Sequence, residues 1–278
     1  MSPAADQYGV FGHPVGHSLS PFIHGMFARD TGQEMSYRPY DVAPDEFAAR
    51  VREFFERGGR GLSITLPHKI AAVEVAHELT ERAAHAAAVN TLALQDEGIV
   101  GDNTDGVGLV RDLCDNQRIV ITNRHLLILG AGGATRGILA PLLGLEPAAL
   151  VIANRSPERA EALAAAFADL GTTRGVGFSD VGDAPFDLII NATSASLTGE
   201  IPPIPPSALS PDTVCYDLAY GRSATGFVRW AQQAGCGRAL QGLGMLVEQA
   251  AESFRLWRGV RPETAQVLSV LKVRTGST

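Results

Sequence analysis

Apolar positions in this chain group into short runs of strand character separated by stretches of helical period. Tyr8-Gly9-Val10-Phe11 reads as a short buried strand, and Ser36 to Val42 alternates as a second. Between them Ser20-Pro21 opens a helix, with Ser20 as N-cap and Pro21 in the first helical position. Asp45 to Arg57 places Phe47, Val51, Phe54 and Phe55 at helical spacing and stops at Gly58-Gly59. The apolar run Gly61 to Leu66 ends at Pro67, and the residues around Val75 are expected to be helical. A short helix opening at Thr80 and the apolar stretch Ala88 to Leu92 follow. This alternation of strand and helix predicts an α/β fold with a mainly parallel sheet.

The alternation continues beyond Gly106 to Leu113, which reads as a helix leading out of a first domain. His125 to Leu129 is a strand, Gly130 to Gly137 a glycine-rich loop, and Ile138 to Leu143 a helix. Ala149 to Ala153, Phe186 to Ile190 and Thr213 to Leu218 are further strands, with an alanine-rich helix from Arg159 to Leu170. The prolines from Pro202 to Pro211 interrupt a continuing alternation, so they mark a connection and not a domain linker. A long apolar helix starts near Gly242.

Composition narrows the classes. With 278 residues the chain allows one large or two medium domains, and 45% hydrophobic against 19% charged residues is an ordinary globular balance. A net charge of -7 leaves no electrostatic footprint for nucleic acid or an anionic membrane surface, while a local positive site for a small anion remains compatible with it. Cys114, Cys215 and Cys236 are odd in number and widely spaced, which argues for reduced thiols and against a disulfide framework or zinc ribbon. The first residues lack the basic and apolar regions of a signal peptide, and no apolar run approaches the roughly 18 residues of a membrane span. A soluble, cytoplasmic protein is expected.

Candidate chemistry concentrates at turns. Lys69 follows the strand that ends at Pro67, where the backbone fixes its stem and the surroundings can tune it for proton transfer. Such a lysine needs a nearby carboxylate to keep its charge, and Asp105, in the polar loop Gly101 to Gly106, is the candidate. That loop resembles a calcium loop only superficially, because Thr104 and Gly106 occupy ligand positions. Ser18 and Ser20 set two hydroxyls at a helix start, a reasonable carboxylate site, with capping as Ser20's alternative role. His13 and His17 are separated by Pro14 and Gly16 and lack an obvious third ligand, so no metal is expected. His24 reads as packed or partly exposed.

The loop Gly130-Ala131-Gly132-Gly133-Ala134 lies between a strand and a helix, the context of a dinucleotide fingerprint, where glycines let a pyrophosphate approach the helix N-terminus. An acid for the ribose 2′-hydroxyl of NAD would be expected after the next strand. Asn154, Arg155, Ser156 and Arg159 stand there instead, which favours the 2′-phosphate of NADP. Asn191 to Ser194, including Thr193, lies at the carboxyl end of a strand, the end that faces ligands in doubly wound sheets.

Taken together, His17 to Pro21, Thr65 to Lys69, Val89 to Thr91, Gly101 to Gly106, the Gly130 loop, Asn154-Arg155, Asn191 to Ser194 and Gly242 to Gln249 resemble the shikimate dehydrogenase family. These are NADP-dependent enzymes of chorismate and aromatic amino-acid biosynthesis. The resemblance spans nearly the whole chain. It implies a substrate domain of residues 1–105 with a returning segment 242–278, and a Rossmann-type NADP domain of residues 106–241. It implies Lys69 as acid/base held near Asp105, and Ser18, Ser20 and Tyr220 on the substrate carboxylate. It further implies Thr65, Asn90, Asp105 and Gln249 on the ring hydroxyls, and the glycine loop, Asn154, Arg155, Ser156, Arg159, Thr193 and Gly242 on NADP. The implied reaction is reversible reduction of 3-dehydroshikimate to shikimate, by a homodimer or, alternatively, a monomer. Ser63, Gly25, Ser156, Ser196 and Gln241 depart from the family's usual asparagine, asparagine, threonine, glycine and aspartate. A broader quinate/shikimate dehydrogenase and a catalytically silent NADP-binding sensor are the rival readings.

Overall fold

The structure is a computed structural model, and its described residues are 5–193, 200–221 and 225–276, so Ser194 and Ser196 lie outside them. The chain divides into two compact units, residues 1–108 with 247–267 and residues 109–246 with 268–278.

In the first unit β1 (Asp6–Gly12), β2 (Met35–Asp41), β3 (Gly59–Ile64), β4 (Glu78–Leu79), β5 (Thr91–Gln95) and β6 (Gly98–Asp102) make one sheet in the order β2-β1-β3-β5-β6-β4. β1 is parallel to β2 and β3, and β4 is parallel to β6. β5 runs antiparallel to β3, and also to β6, from which only a tight turn between Gln95 and Gly98 separates it. Phe47, Val51 and Phe55 line one face of α2 (Phe47–Glu56) and pack with Phe11, Leu62, Ile64 and Leu92. Each such side chain contributes about 1.5–3 kcal/mol by leaving water.

Two local expectations are corrected. Leu19 already has helical backbone (φ -84°, ψ -8°), so α1 (Ser20–Thr31) begins at Ser20 and Leu19 is its N-cap. The hydroxyl that accepts a backbone bond there is that of Ser18, from the Ser20 N–H at 3.2 Å. The segment around Val75 is not a helix but one 3-10 turn, Ala71–Val73, followed by β4. His77 N–H donates to the Ile99 carbonyl at 2.8 Å, and Glu78 and Leu79 pair with Val100 and Gly101. Edge pairing therefore overrides the helical preference of the alanines.

The second unit carries β7 (His125–Leu129), β8 (Ala149–Asn154), β9 (Thr173–Gly177), β10 (Leu188–Asn191), β11 (Val214–Asp217) and β12 (Arg238–Gln241) in the order β12-β11-β10-β7-β8-β9. Every pairing is parallel. Leu126 and Ile128 of β7 enter one core and Leu127 and Leu129 the other, the pattern of a sheet buried on both faces. Counted from β7, the order is that of a Rossmann sheet, with its switch point between β7 and β10. Its helices include α5 (Gly133–Leu143), α6 (Pro157–Ala166) and α7 (Thr225–Gln233). α3 (Glu81–Ala86) belongs to the first unit, α4 (Asp105–Arg111) spans the boundary at Gly108, and α8 (Leu243–Arg258) and α9 (Ala265–Thr275) close the chain.

Candidate active site

Lys69 sits in the turn after β3, held from several sides. The Thr65 N–H donates to the Phe11 carbonyl at 2.9 Å, and the Val89 N–H donates to the Lys69 carbonyl at 2.8 Å. His68, not singled out by the sequence, anchors the turn. Its ring is 2% exposed, lies against Phe47 with centroids 4.5 Å apart, and its Nε2 bonds the Val42 carbonyl at 2.8 Å. Only its position beside Lys69 in an apolar setting could have flagged it.

With the turn fixed, Lys69 Nζ lies 2.5 Å from Asp105 Oδ2, and the two side chains are 14% and 6% exposed. Asp105 opens α4, and its own N–H donates to Asn103 Oδ1 at 3.2 Å, while Asn103 Nδ2 donates to the Ala88 carbonyl at 2.9 Å. The second Asp105 oxygen accepts Asn90 Nδ2 at 2.9 Å. Gln249 Oε1 stands 3.3 Å from the same nitrogen. Gly108 lets α8 approach this closely, because a Cβ on it would come within 2.6 Å of Gln249. Hydrogen bonds thus join Lys69, Asp105, Asn90 and Gln249 into one group. A lysine in such a group can give or take a proton at an oxygen within reach of Nζ, and its charge can stabilise that oxygen as it becomes anionic.

Ser18 and Ser20 lie together at the start of α1. The buried phenol of Tyr37 donates to Ser63 Oγ at 2.8 Å, which occupies the hydroxyl at the departing position 63. Burial pushes the Tyr37 phenol well above its ordinary range, which keeps it a neutral donor. Thr65 follows β3 next to the end of β1. His24 is buried in an aromatic cage, stacked 4.2 Å from Tyr37, and neither ring nitrogen has a hydrogen-bond partner among the described residues. Burial lowers its pKa to about 3. His13 Nδ1 lies 2.6 Å from Asp41 Oδ1 at the surface, and no metal-ligand cluster of three or more is found among the described residues.

The nucleotide candidates all fall in the second unit. Gly130 follows β7 with φ +105°, a conformation that favours glycine, and its N–H donates to the Ala153 carbonyl at 2.7 Å. The buried Thr135 hydroxyl donates back to the Gly130 carbonyl at 2.8 Å, locking loop to helix. A Cβ on Gly130 would come within 3.2 Å of Ala192 and Thr193, so the ends of β7 and β10 meet at the switch point. A Cβ on Gly132, the N-cap of α5, would meet open space, and Ala131, Gly133 and Ala134 flank it in the chain. Asn154 Nδ2 donates to the Ser156 carbonyl at 3.1 Å, which shapes the turn before α6, and Arg155 and Arg159 are exposed. These features fit a dinucleotide with an added phosphate: an open helix N-terminus for the pyrophosphate and two cations for the 2′-phosphate. Tyr220 follows β11, and Gly242 is held by its N–H to the Ala219 carbonyl at 2.9 Å.

The chain matches three family models: the shikimate dehydrogenase substrate binding domain over residues 10–92, shikimate/quinate 5-dehydrogenase over residues 112–198, and the shikimate 5'-dehydrogenase C-terminal domain over residues 242–272. It is 55% identical over 268 residues to a shikimate dehydrogenase (NADP(+)) of Methylococcus capsulatus, covering 96% of each chain. A protein of the same description from Aeromonas salmonicida is 52% identical over 98% of this chain and 99% of the relative. Among solved structures, an Ael1 enzyme from Pseudomonas putida superposes with TM-score 0.89 at 44% identity, covering 96% of this chain and 98% of that one. A Thermus thermophilus shikimate 5-dehydrogenase solved with NADP(H) and shikimate gives TM-score 0.84 at 31% identity, covering 96% and 99%.

Proposed function

The chain belongs to the shikimate dehydrogenase family, and on that premise we propose that it reduces 3-dehydroshikimate to shikimate reversibly with NADP. The observation that carries this reading is the Lys69–Asp105 pair at 2.5 Å, buttressed by Asn90 and Gln249. In the reductive direction the Lys69 ammonium donates a proton to the carbonyl oxygen as it becomes a hydroxyl. In the reverse direction the neutral amine takes that proton from the alcohol. Asp105 holds the lysine in place, and Asn90, Thr65 and Gln249 orient the ring hydroxyls. Ser18, Ser20 and Tyr220 receive the substrate carboxylate. The Gly130 loop, Asn154, Arg155, Ser156, Arg159, Thr193 and Gly242 hold NADP, whose nicotinamide supplies the hydride when bound.

On this reading residues 1–105 with 242–278 serve the substrate and residues 106–241 the nucleotide. A homodimer in the cytoplasm completes the proposal. Three free cysteines support a reducing compartment, and light scattering of the purified protein reads the assembly.

The test is initial-rate formation of reduced nicotinamide with shikimate and quinate, each against NADP and NAD. Turnover confined to shikimate with NADP is expected. Comparable rates with quinate or NAD would move the chain to the broader-specificity reading, against which Arg155 and Arg159 stand. No turnover in any pair, with NADP still binding, would overturn the assignment in favour of a sensor.

A further inference from the structure

Behind Asn90 lies a set of buried hydroxyls that no role in substrate or NADP binding accounts for. Asn90 is 3% exposed, and Thr91, Thr104 and Ser253 are each 0% exposed. The Thr104 N–H donates to Asn90 Oδ1 at 2.8 Å, and since a backbone N–H can only donate, it fixes which end of the amide is oxygen. The two Asn90 Nδ2 protons then point to Asp105 Oδ1 and to Thr104 Oγ1, both at 2.9 Å. Thr104 Oγ1 lies 3.1 Å from Ser253 Oγ, Ser253 Oγ lies 2.7 Å from Thr91 Oγ1, and Thr91 Oγ1 donates to Asn90 Oδ1 at 2.8 Å.

We propose that Thr91, Thr104 and Ser253 are positioning residues, which close a one-way ring of hydrogen bonds that holds the Asn90 amide against Asp105. The ring runs from Asn90 Nδ2 through Thr104, Ser253 and Thr91 back to Asn90 Oδ1. Each hydroxyl in it accepts one proton and donates one. It cannot run in reverse, because the amide nitrogen cannot accept and the amide oxygen has no proton to give. Besides Asn90 Nδ2 with Gln249 Oε1 at 3.3 Å, the remaining close pairs are Thr104 Oγ1 with Asn90 Oδ1 at 3.2 Å and Gln249 Oε1 at 3.4 Å, and Ser253 Oγ with the Gln249 carbonyl at 3.1 Å. None is shorter than the ring contact of the same hydroxyl. Such closed chains polarise their members and strengthen cooperatively, whereas an open one leaves buried groups unpaired. Opening the ring leaves Asn90 Oδ1 held by the Thr104 N–H but takes away the hydroxyl support of the amide, which loosens the donor to the carboxylate that holds Lys69. The inference rests on Lys69 and Asp105 being the proton-transfer pair.

Two readouts test it: steady-state kinetics with shikimate and NADP, and proton exchange of the Asn90 side-chain amide by NMR. Thr91→Val and Ser253→Ala should each lower kcat about 3- to 10-fold, the worth of one lost hydrogen bond, with KM moving less than about twofold. Thr91→Ser, which keeps the hydroxyl, should restore kcat. The double variant Thr91→Val/Ser253→Ala should be no slower than the slower single, because a ring opens once. Asn90 amide protons should exchange faster in both single variants. If Thr91→Val fails to fold, Ser253→Ala on the far side of the ring carries the same test. Wild-type kcat with wild-type Asn90 protection in the singles would overturn the proposal, and so would losses that multiply in the double variant. If the wild type does not turn over shikimate but Asn90 loses protection in the variants, the functional reading fails and the ring stands.

Discussion

Replacing Arg82 by methionine isolates one buried carboxylate. Asp102 is 1% exposed and accepts Arg82 Nε at 2.6 Å, Arg82 Nη2 at 2.5 Å, Thr80 Oγ1 at 2.6 Å and the Asn103 N–H at 2.7 Å. Burial alone would push this carboxyl up; the Arg82 fork, Thr80 and the Asn103 amide outweigh it and hold the carboxyl below its ordinary value. Arg82→Met removes two of the four donors, while Glu252 keeps Arg255 at 2.6 Å. Breaking a buried pair from one side costs about 3–5 kcal/mol, because the remaining charge stays buried. For a chain of this size that is a fall in Tm of roughly 10 °C. The sign with pH follows from linkage. In the wild type the folded value lies below the unfolded one, near 3.9, so this stabilisation is complete above about pH 4 and is lost as pH falls through the folded value. In the variant burial dominates and the folded value lies above the unfolded one, so protonation relieves the buried charge. The deficit of variant against wild type is therefore largest at neutral pH and narrows toward about pH 4.5. Calorimetry of both proteins at the two pH values reads it. A Tm loss under about 2 °C at neutral pH, or a deficit independent of pH, would refute the reasoning.

Lys69→Ala should slow turnover by roughly 10² to 10⁴, the size of a lost acid–base group, with a much smaller change in substrate KM. Near-normal turnover would remove Lys69 from its role. Arg155→Ala should raise KM for NADP about tenfold, one charged hydrogen bond at an exposed site, and leave KM for NAD unchanged; equal effects on both cofactors would dissociate Arg155 from the 2′-phosphate. Because burial lowers the His24 pKa to about 3, the unfolded chain binds more protons than the folded one below about pH 6.5. Stability from this group is thus full above about pH 6.5 and falls by about 1.4 kcal/mol per pH unit below it. In urea titrations at about pH 7 and 5.5, His24→Phe should lose less stability on acidification than the wild type, and parallel losses would contradict this.

Much of the second unit was legible because its sheet is buried on both faces, so β7, β8, β10 and β11 read as unbroken apolar runs. The Gly130 loop was legible because a positive φ demands glycine just where a strand gives way to a helix. In the first unit Lys69 and Asp105 could be picked out as chemical types, but their 2.5 Å approach depends on residues 36 positions apart. What failed was decided by tertiary pairing. The Val75 segment lost its expected helix to the edge of β6, and the N-cap expected at Ser20 fell to Leu19, whose backbone is already helical, leaving Ser18 to accept the Ser20 N–H. Thr91 and Thr104 sat in motifs noticed for their neighbours, and Ser253, 162 positions from Thr91, carries no local signal at all.

The discontinuity of the first unit has a consequence for how the chain is made. Residues 247–267 belong with residues 1–108, yet all of 109–246 is synthesised between them. That interval is roughly 7–28 s at ordinary elongation rates. Throughout it the Leu92 carbonyl waits for the Trp257 indole, which will donate to it at 3.0 Å, Asp6 waits for Arg258, and Thr91 waits for Ser253. The second unit meets no such delay in its sheet, since β7 to β12 emerge as one uninterrupted stretch. The nascent chain therefore carries a finished second-unit sheet while the first unit still lacks residues 247–267, and the ribosome's progress past Val247 sets the earliest moment at which Lys69, Asp105 and Asn90 can reach their final surroundings.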